Sequence, residues 1–273
     1  MSEKNRKELN TGGTMKLAEK EEEKKEGEEE KEKKKRKSEV RINDQDREMF
    51  VLLLNHRFLS YELLVKRFSP ENWPLKKGER TALELRLYRM VQAGYLYSLK
   101  RDGERLFLLA NSGLELVQNV NHAKLTITTL KELESVHHDL AFANLRFYFE
   151  ALGRTAHWIT GKQMEKFASD KPRVPDGVFR WNGLFVFLEV EFSTKEASCY
   201  EKIYNRFSRE GGPDLVLYFY KNRSDLNVMI RLSEGNLRFV FFPYSELMPL
   251  PGNVVGSSAG QATTLARVLK LNI

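Results

Sequence analysis

Only one cysteine, Cys199, occurs in the 273 residues, which excludes a disulfide framework and any cysteine-cluster zinc site. No apolar run approaches the roughly 18–20 residues a membrane span needs, and the N-terminus is charged rather than signal-like. The chain lacks the Gly-x-x-x-x-Gly-Lys-Ser/Thr and Gly-x-Gly-x-x-Gly runs that cradle nucleotide phosphates. Nucleotide hydrolysis and dinucleotide redox chemistry are therefore disfavoured. His-Glu-x-x-His and Gly-x-Ser-x-Gly are missing as well, which argues against zinc proteolysis and serine-hydrolase chemistry. These absences lead us to expect a soluble cytoplasmic protein with no membrane partner.

What is present is charge, unevenly placed. The net charge is +7. Residues 1–40 hold 13 Lys and Arg and 12 Asp and Glu and no aromatic residue. Such a block buries too little apolar surface to offset its ordering entropy, so 1–41 reads as a disordered Lys/Glu-rich tail. Its Lys33-Lys34-Lys35-Arg36-Lys37 run is either a solvated charge run or an import or phosphate-binding signal.

Structure is expected from Ile42. Asn43 or Asp44 caps a helix over 45–57 with Met49, Phe50, Leu53 and Leu54 inward, and Ser60 caps a second over 61–68. A third, 79–93, spaces Leu83, Leu87, Met90 and Val91 as a core stripe. Two strands follow, 95–100 and 105–110, joined through Asp102-Gly103, whose residues tolerate the positive φ of a tight turn. Three helices followed by a hairpin is the order of a winged helix-turn-helix, expected over 42–120. In such modules the third helix enters the major groove and the hairpin lies along the backbone. The candidate DNA contacts are Lys76, Lys77, Arg80, Thr81, Arg86, Tyr88, Arg89, Lys100, Arg101 and Arg105. Thr81 and Tyr88 suit base edges and the cations suit phosphates. Leu85 on the same face also suits a protein-docking surface.

After a connector at 121–131, a helix over 132–152 is apolar on most sides and so buried. Its His137 and His138 read as one core and one surface histidine, with a site role for either as the lesser alternative. Strands are expected at 178–181 and 184–192, turned by Asn182-Gly183. In the second, alternation sends Val186, Leu188 and Val190 one way and Phe187, Glu189 and Glu191 the other. Asp176 precedes the partner strand, so the hairpin brings it beside the glutamates if the register allows. Converging carboxylates suit a hard divalent cation such as Mg or Mn; the bland alternative is that they only solvate the end of a sheet. A helix over 198–207 follows, then a strand at 215–220, a short helix and a last strand at 237–242. Residues 251–273 read as a flexible tail, with 265–271 docking as a short helix.

Asp176 and, thirteen residues on, Glu189-Val190-Glu191 in a hairpin followed by a helix resemble the PD-(D/E)xK nuclease fold. With a winged helix in front, the chain is similar to the bacterial replication-relaxation family over about 43–245. The resemblance implies a two-domain α+β protein whose core over 121–250 is a mixed α/β PD-(D/E)xK-like unit. It implies a metal site at Asp176 and Glu189, with Glu191 completing the coordination or acting as base, and Mg or Mn as cofactor if the site cuts. The family's lysine position holds Glu191 here, so Lys195 or Lys202 would have to supply the cation, Lys202 being preferred. The function implied is DNA binding in plasmid or mobile-element replication and relaxation, with a core that need not be catalytic. An active metal-dependent DNA endonuclease is the first alternative, and a winged-helix regulator or interaction module the second. Double-stranded DNA, replication or mobilisation proteins and a second copy in a homodimer are the expected partners.

Overall fold

In a computed structural model, residues 40–70, 81–117, 135–153, 155–165, 174–244, 255–258 and 261–269 are described. The charged tail, the 121–131 connector and Lys76, Lys77 and Arg80 lie outside them. The chain is a mixed α+β protein, and among the described residues no helix is long and apolar enough to cross a membrane.

Helix α1 (Asp44–His56) starts where a capping box closes: the Asn43 side chain accepts from Asp46 N–H and the Asp46 carboxylate accepts from Asn43 N–H, both at 2.8 Å. These bonds satisfy two backbone donors that a helix start leaves open. After the two-residue strand β1 (Leu59–Ser60), Ser60 caps α2 (Tyr61–Phe68). Thr81 caps α3 (Ala82–Gln92) through Glu84 N–H at 3.0 Å, three residues later than the sequence suggests. Strands β2 (Leu96–Arg101) and β3 (Glu104–Leu109) turn at Asp102 and Gly103, with φ of 50° and 84°. Strand β1 adds to β3, giving the order β1-β3-β2. Met49, Phe50, Leu53, Leu64, Leu87, Met90, Leu96 and Phe107 pack beneath this sheet. A short helix, α4 (Asn111–Glu115), follows.

Helix α5 (Val136–Ala151) is apolar on most sides because it faces two cores. Ala143 and Phe147 join the core of the helical unit. Ala141, Phe142, Leu145 and Phe149 pack against the second sheet. That sheet comprises β4 (Thr155–Thr160), β5 (Gly177–Trp181), β6 (Leu184–Glu191), β7 (Leu215–Tyr220), β8 (Phe239–Pro243), β9 (Val255–Ser258) and β10 (Gln261–Thr264). Its order is β10-β9-β8-β7-β6-β5-β4. β6, β7 and β8 run parallel, and both flanks are antiparallel. The short α6 (Gly161–Met164) follows β4, and α7 (Ala197–Phe207) and α8 (Asn227–Leu232) cover the face of the sheet away from α5.

Two parts of this sheet depart from expectation. Strand β4 has no counterpart in the sequence pattern; its pairing with β5 shifts register between Ala156 and Ile159, and His157 there has φ 55°. Such a bulge erases the alternation that marks a strand. The stretch 251–273, expected as a flexible tail, contributes the β9–β10 edge hairpin and α9 (Leu265–Val268). Leu265 and Leu269 are buried, and Trp181 Nε1 donates to Leu269 O at 3.0 Å. The helix expected within 265–271 is thus present, anchored on the sheet.

Candidate functional site

The β5–β6 hairpin sets the site. Asn182 and Gly183 take φ of 47° and 88°, and Gly177 pairs with Leu188. The next residue outward, Asp176, therefore comes level with Glu189. Gly177 also lets α5 lie close: a Cβ there would stand 2.6 Å from the Phe142 ring. That approach brings the start of α5 to the carboxylates. Asp176 Oδ2 accepts Val190 N–H at 2.8 Å and meets His138 Nε2 at 3.1 Å, while His138 Nδ1 faces Asp139 Oδ1 at 3.2 Å.

Burial works to lower the His138 pKa, but the Asp176 charge and hydrogen bonds to both carboxylates carry it up to about 10. The ring is therefore an imidazolium at neutral pH, donating from both nitrogens. Asp176 is shifted the other way. Burial would raise it, but His138, the Val190 N–H and Lys195 together hold it below the usual carboxylate range.

Glu189 lies on the α7 side of the sheet, on the wall of a cavity of about 230 Å³ that also takes in His138, Asp176, Lys195, Ile203 and Phe207. Burial, then the charge of Asp176, pushes Glu189 well above its ordinary pKa against the pull of Lys195 and His138. Tyr218 stands opposite Glu189 in the parallel β6–β7 register. Its buried hydroxyl has no hydrogen-bond partner among the described residues. Burial and the neighbouring Glu189 and Asp176 push its pKa well up.

The remaining expected residues divide. Lys195 joins Asp176 and Glu189 in the cavity and forms an ion pair with Glu191. Glu191 itself is buried, and its Oε1 accepts from Ser193 N–H at 3.3 Å. It turns into the β6–α7 turn and does not line the acidic cavity, so the expected three-carboxylate cluster is reduced to two. Lys202, the preferred lysine, is exposed on α7, because the helix turns Ile203 and Phe207 inward. Among the described residues no three His, Cys, Asp or Glu side chains are grouped to hold a metal ion. Asp176 and Glu189 do fit a hard divalent cation in donor chemistry, as a pair of adjacent carboxylates whose remaining positions water can fill. His138 is a site residue that the sequence pattern does not single out. Only its place beside the exposed His137 on a buried helix points to it, and its partner lies 38 residues away.

On the helical unit, Tyr88 and Arg89 of α3 and Lys100 and Arg101 of β2 are exposed, as is Leu85. Three residues expected to touch DNA have partners within the fold. Thr81 is buried, capping α3 and sharing a 2.9 Å hydrogen bond with Tyr61. Arg86 is bound to the buried Asp46 of α1 and to Arg41 O at 2.6 Å. Arg105 is paired with Glu84 at 3.1 Å and lies over the Phe107 ring.

Set against protein-family models, curated proteins and solved structures, the chain matches none.

Proposed function

We propose that this chain binds duplex DNA through a winged helix-turn-helix formed by α1–α3 and the β2–β3 hairpin. Behind it we place a PD-(D/E)xK nuclease-like core of the replication-relaxation type. The observation that carries the reading is the level placement of Asp176 and Glu189 by the β5–β6 hairpin, with helix α7 and the parallel strand β7 following. The exposed Arg89, Lys100 and Arg101 support the DNA-binding half, since cations along a recognition helix and a hairpin suit backbone phosphates. In the core, His138 is already paired with Asp176, and Lys195 with Glu191. That pairing favours a core that holds DNA without cutting it.

One observation favours an active endonuclease as the second reading: Lys195 reaches the Asp176–Glu189 cavity despite the missing lysine at position 191. Mg or Mn, held by Asp176 and Glu189, would polarise a phosphodiester and lower the pKa of a water. Lys195 would face the phosphate charge, and His138 would fix the Asp176 carboxylate. Full-length protein is incubated with a labelled duplex and with supercoiled plasmid, with and without Mn²⁺, beside Asp176→Ala. Retardation by both proteins without nicking supports the first reading. Mn²⁺-dependent nicking that disappears in Asp176→Ala supports the second, and absence of both retardation and nicking overturns both.

A further inference from the structure

Arg57 ends α1 in a conformation that only glycine adopts readily. Its φ and ψ are 70° and −50°, and Phe58 N–H donates back to His56 O at 2.8 Å. This is the rare γ-turn with positive φ, which an L residue occupies under strain. The turn aims the guanidinium across the seam between the two sheets' units, where Arg57 Nη1 stands 3.7 Å from Asp139 Oδ2. Asp139 meets His138 through its other oxygen, and His138 meets Asp176. A chain of charged groups thus runs from the end of α1 to the acidic cavity: Arg57 faces Asp139 across 3.7 Å as an ion pair without a hydrogen bond, and His138 bonds both Asp139 and Asp176.

The seam is also a cavity of about 210 Å³, with Asn55, Arg57, His138, Asp139, Lys162 and Asp176 in its walls. Beside it a second tie holds α1 to α5. His56 is kept neutral by burial and by the charges of Arg146 and Lys162, so its Nε2 accepts from Arg146 Nη1 at 2.9 Å. His56 and Arg57 thus hold the end of α1 to α5 at two adjacent residues, on the helix that presents His138 to Asp176.

We infer that Arg57 is a positioning residue: acting through Asp139 and His138, it sets the Asp176 carboxylate according to the placement of the helical unit, so that duplex bound on α3 is registered at the acidic pair. The inference rests on the DNA-binding reading above for its second half only. The strain explains why arginine stands where glycine would be easier. A residue serving the turn alone would gain from replacement by glycine, whereas one serving Asp139 must carry the cation.

The test follows the His137 and His138 ring resonances by NMR in the full-length wild type and in Arg57→Gly and Arg57→Lys. In free protein, Arg57→Gly is expected to stay folded, the relief of backbone strain offsetting the lost ion pair with Asp139. It is expected to displace the His138 resonances and leave those of the exposed His137 in place, and Arg57→Lys to restore the wild-type positions. Unmoved His138 resonances in a folded Arg57→Gly protein overturn the inference. With added duplex, the wild-type His138 resonances are expected to shift, and those of Arg57→Gly to stay although the duplex is still retarded. Equal shifts in both proteins overturn the coupling to DNA. A wild type that fails to retard duplex overturns the DNA-binding reading, while the result on free protein still decides the positioning role.

Discussion

Arg86 and Arg89 are one helical turn apart on α3, and their surroundings differ: Arg86 is paired within the fold and Arg89 is exposed. Arg86 Nε donates to Asp46 Oδ1 at 3.1 Å, and its Nη2 bonds both Asp46 Oδ2 and Arg41 O. Asp46 is 2% exposed. Removing one partner of a fully buried pair costs ~3–5 kcal/mol, because the other charge is left without compensation. Here the Arg86 side chain keeps 26% exposure, and Asp46 retains the Asn43 N–H. Both lessen the loss, so Arg86→Ala is expected to cost about 2–3 kcal/mol. At ~2–4 °C per kcal/mol for a chain of this size, the melting temperature should fall by roughly 4–12 °C. Arg89→Ala, on the exposed face, should leave it within a degree or two and weaken duplex retardation. Thermal melts and gel shifts on the two variants separate the cases. Arg86→Ala that melts like wild type yet loses duplex binding would refute the reasoning and return Arg86 to the DNA surface.

Other expectations follow from the site and its supports. Glu189 carries a raised pKa in the folded chain, so relative to low pH its stability contribution is lost as pH climbs above about 4, at ~1.4 kcal/mol per pH unit until the folded carboxyl ionises. Glu189→Gln should therefore match wild type in urea titrations at pH 4 and exceed it at pH 7; an equal difference at both pH values contradicts the assignment. Replacing Arg89, Lys100 or Arg101 singly by Ala should lessen the slope of log K against log salt for duplex binding by about 0.9 for each phosphate no longer neutralised, and an unchanged slope removes that residue from the interface. Trp181→Phe deletes the indole donor to Leu269 O and should cost about 1–3 kcal/mol, with faster proteolysis within 255–269 as the sign that α9 has come loose.

What the sequence shows is mostly local. Asn43, Ser60 and the Asp102-Gly103 and Asn182-Gly183 turns carry their geometry in a few neighbouring residues, and the structure places caps and hairpins there. The alternation of β6 likewise sets Glu189 on the face opposite Leu188 without knowledge of the sheet. What it hides depends on distant partners. A helical wheel puts Arg86 on a solvated flank, but Asp46, forty residues earlier, claims it. The preference for Lys202 over Lys195 meets the same limit: the rotation of α7 on the sheet turns Lys202 to solvent, and the turn before the helix brings Lys195 to the cavity. β9 and β10, made largely of Gly, Ser, Ala and Thr, have weak strand signals of their own and form where the exposed edge of β8 needs hydrogen-bond partners.

Helix α5 closes the cores of both sheets, and this bears on how the chain can be divided. A fragment ending at Val117 would leave the α1 surface around His56 without Phe142 and Phe147, which meet that ring at 5.5 and 5.9 Å. A fragment beginning at Ser135 would turn Phe147 outward to water. Neither half keeps its apolar interior covered, so the two are expected to melt together and to be inherited, truncated or transplanted as one piece. Cutting between them would yield two aggregating fragments in place of two self-sufficient domains.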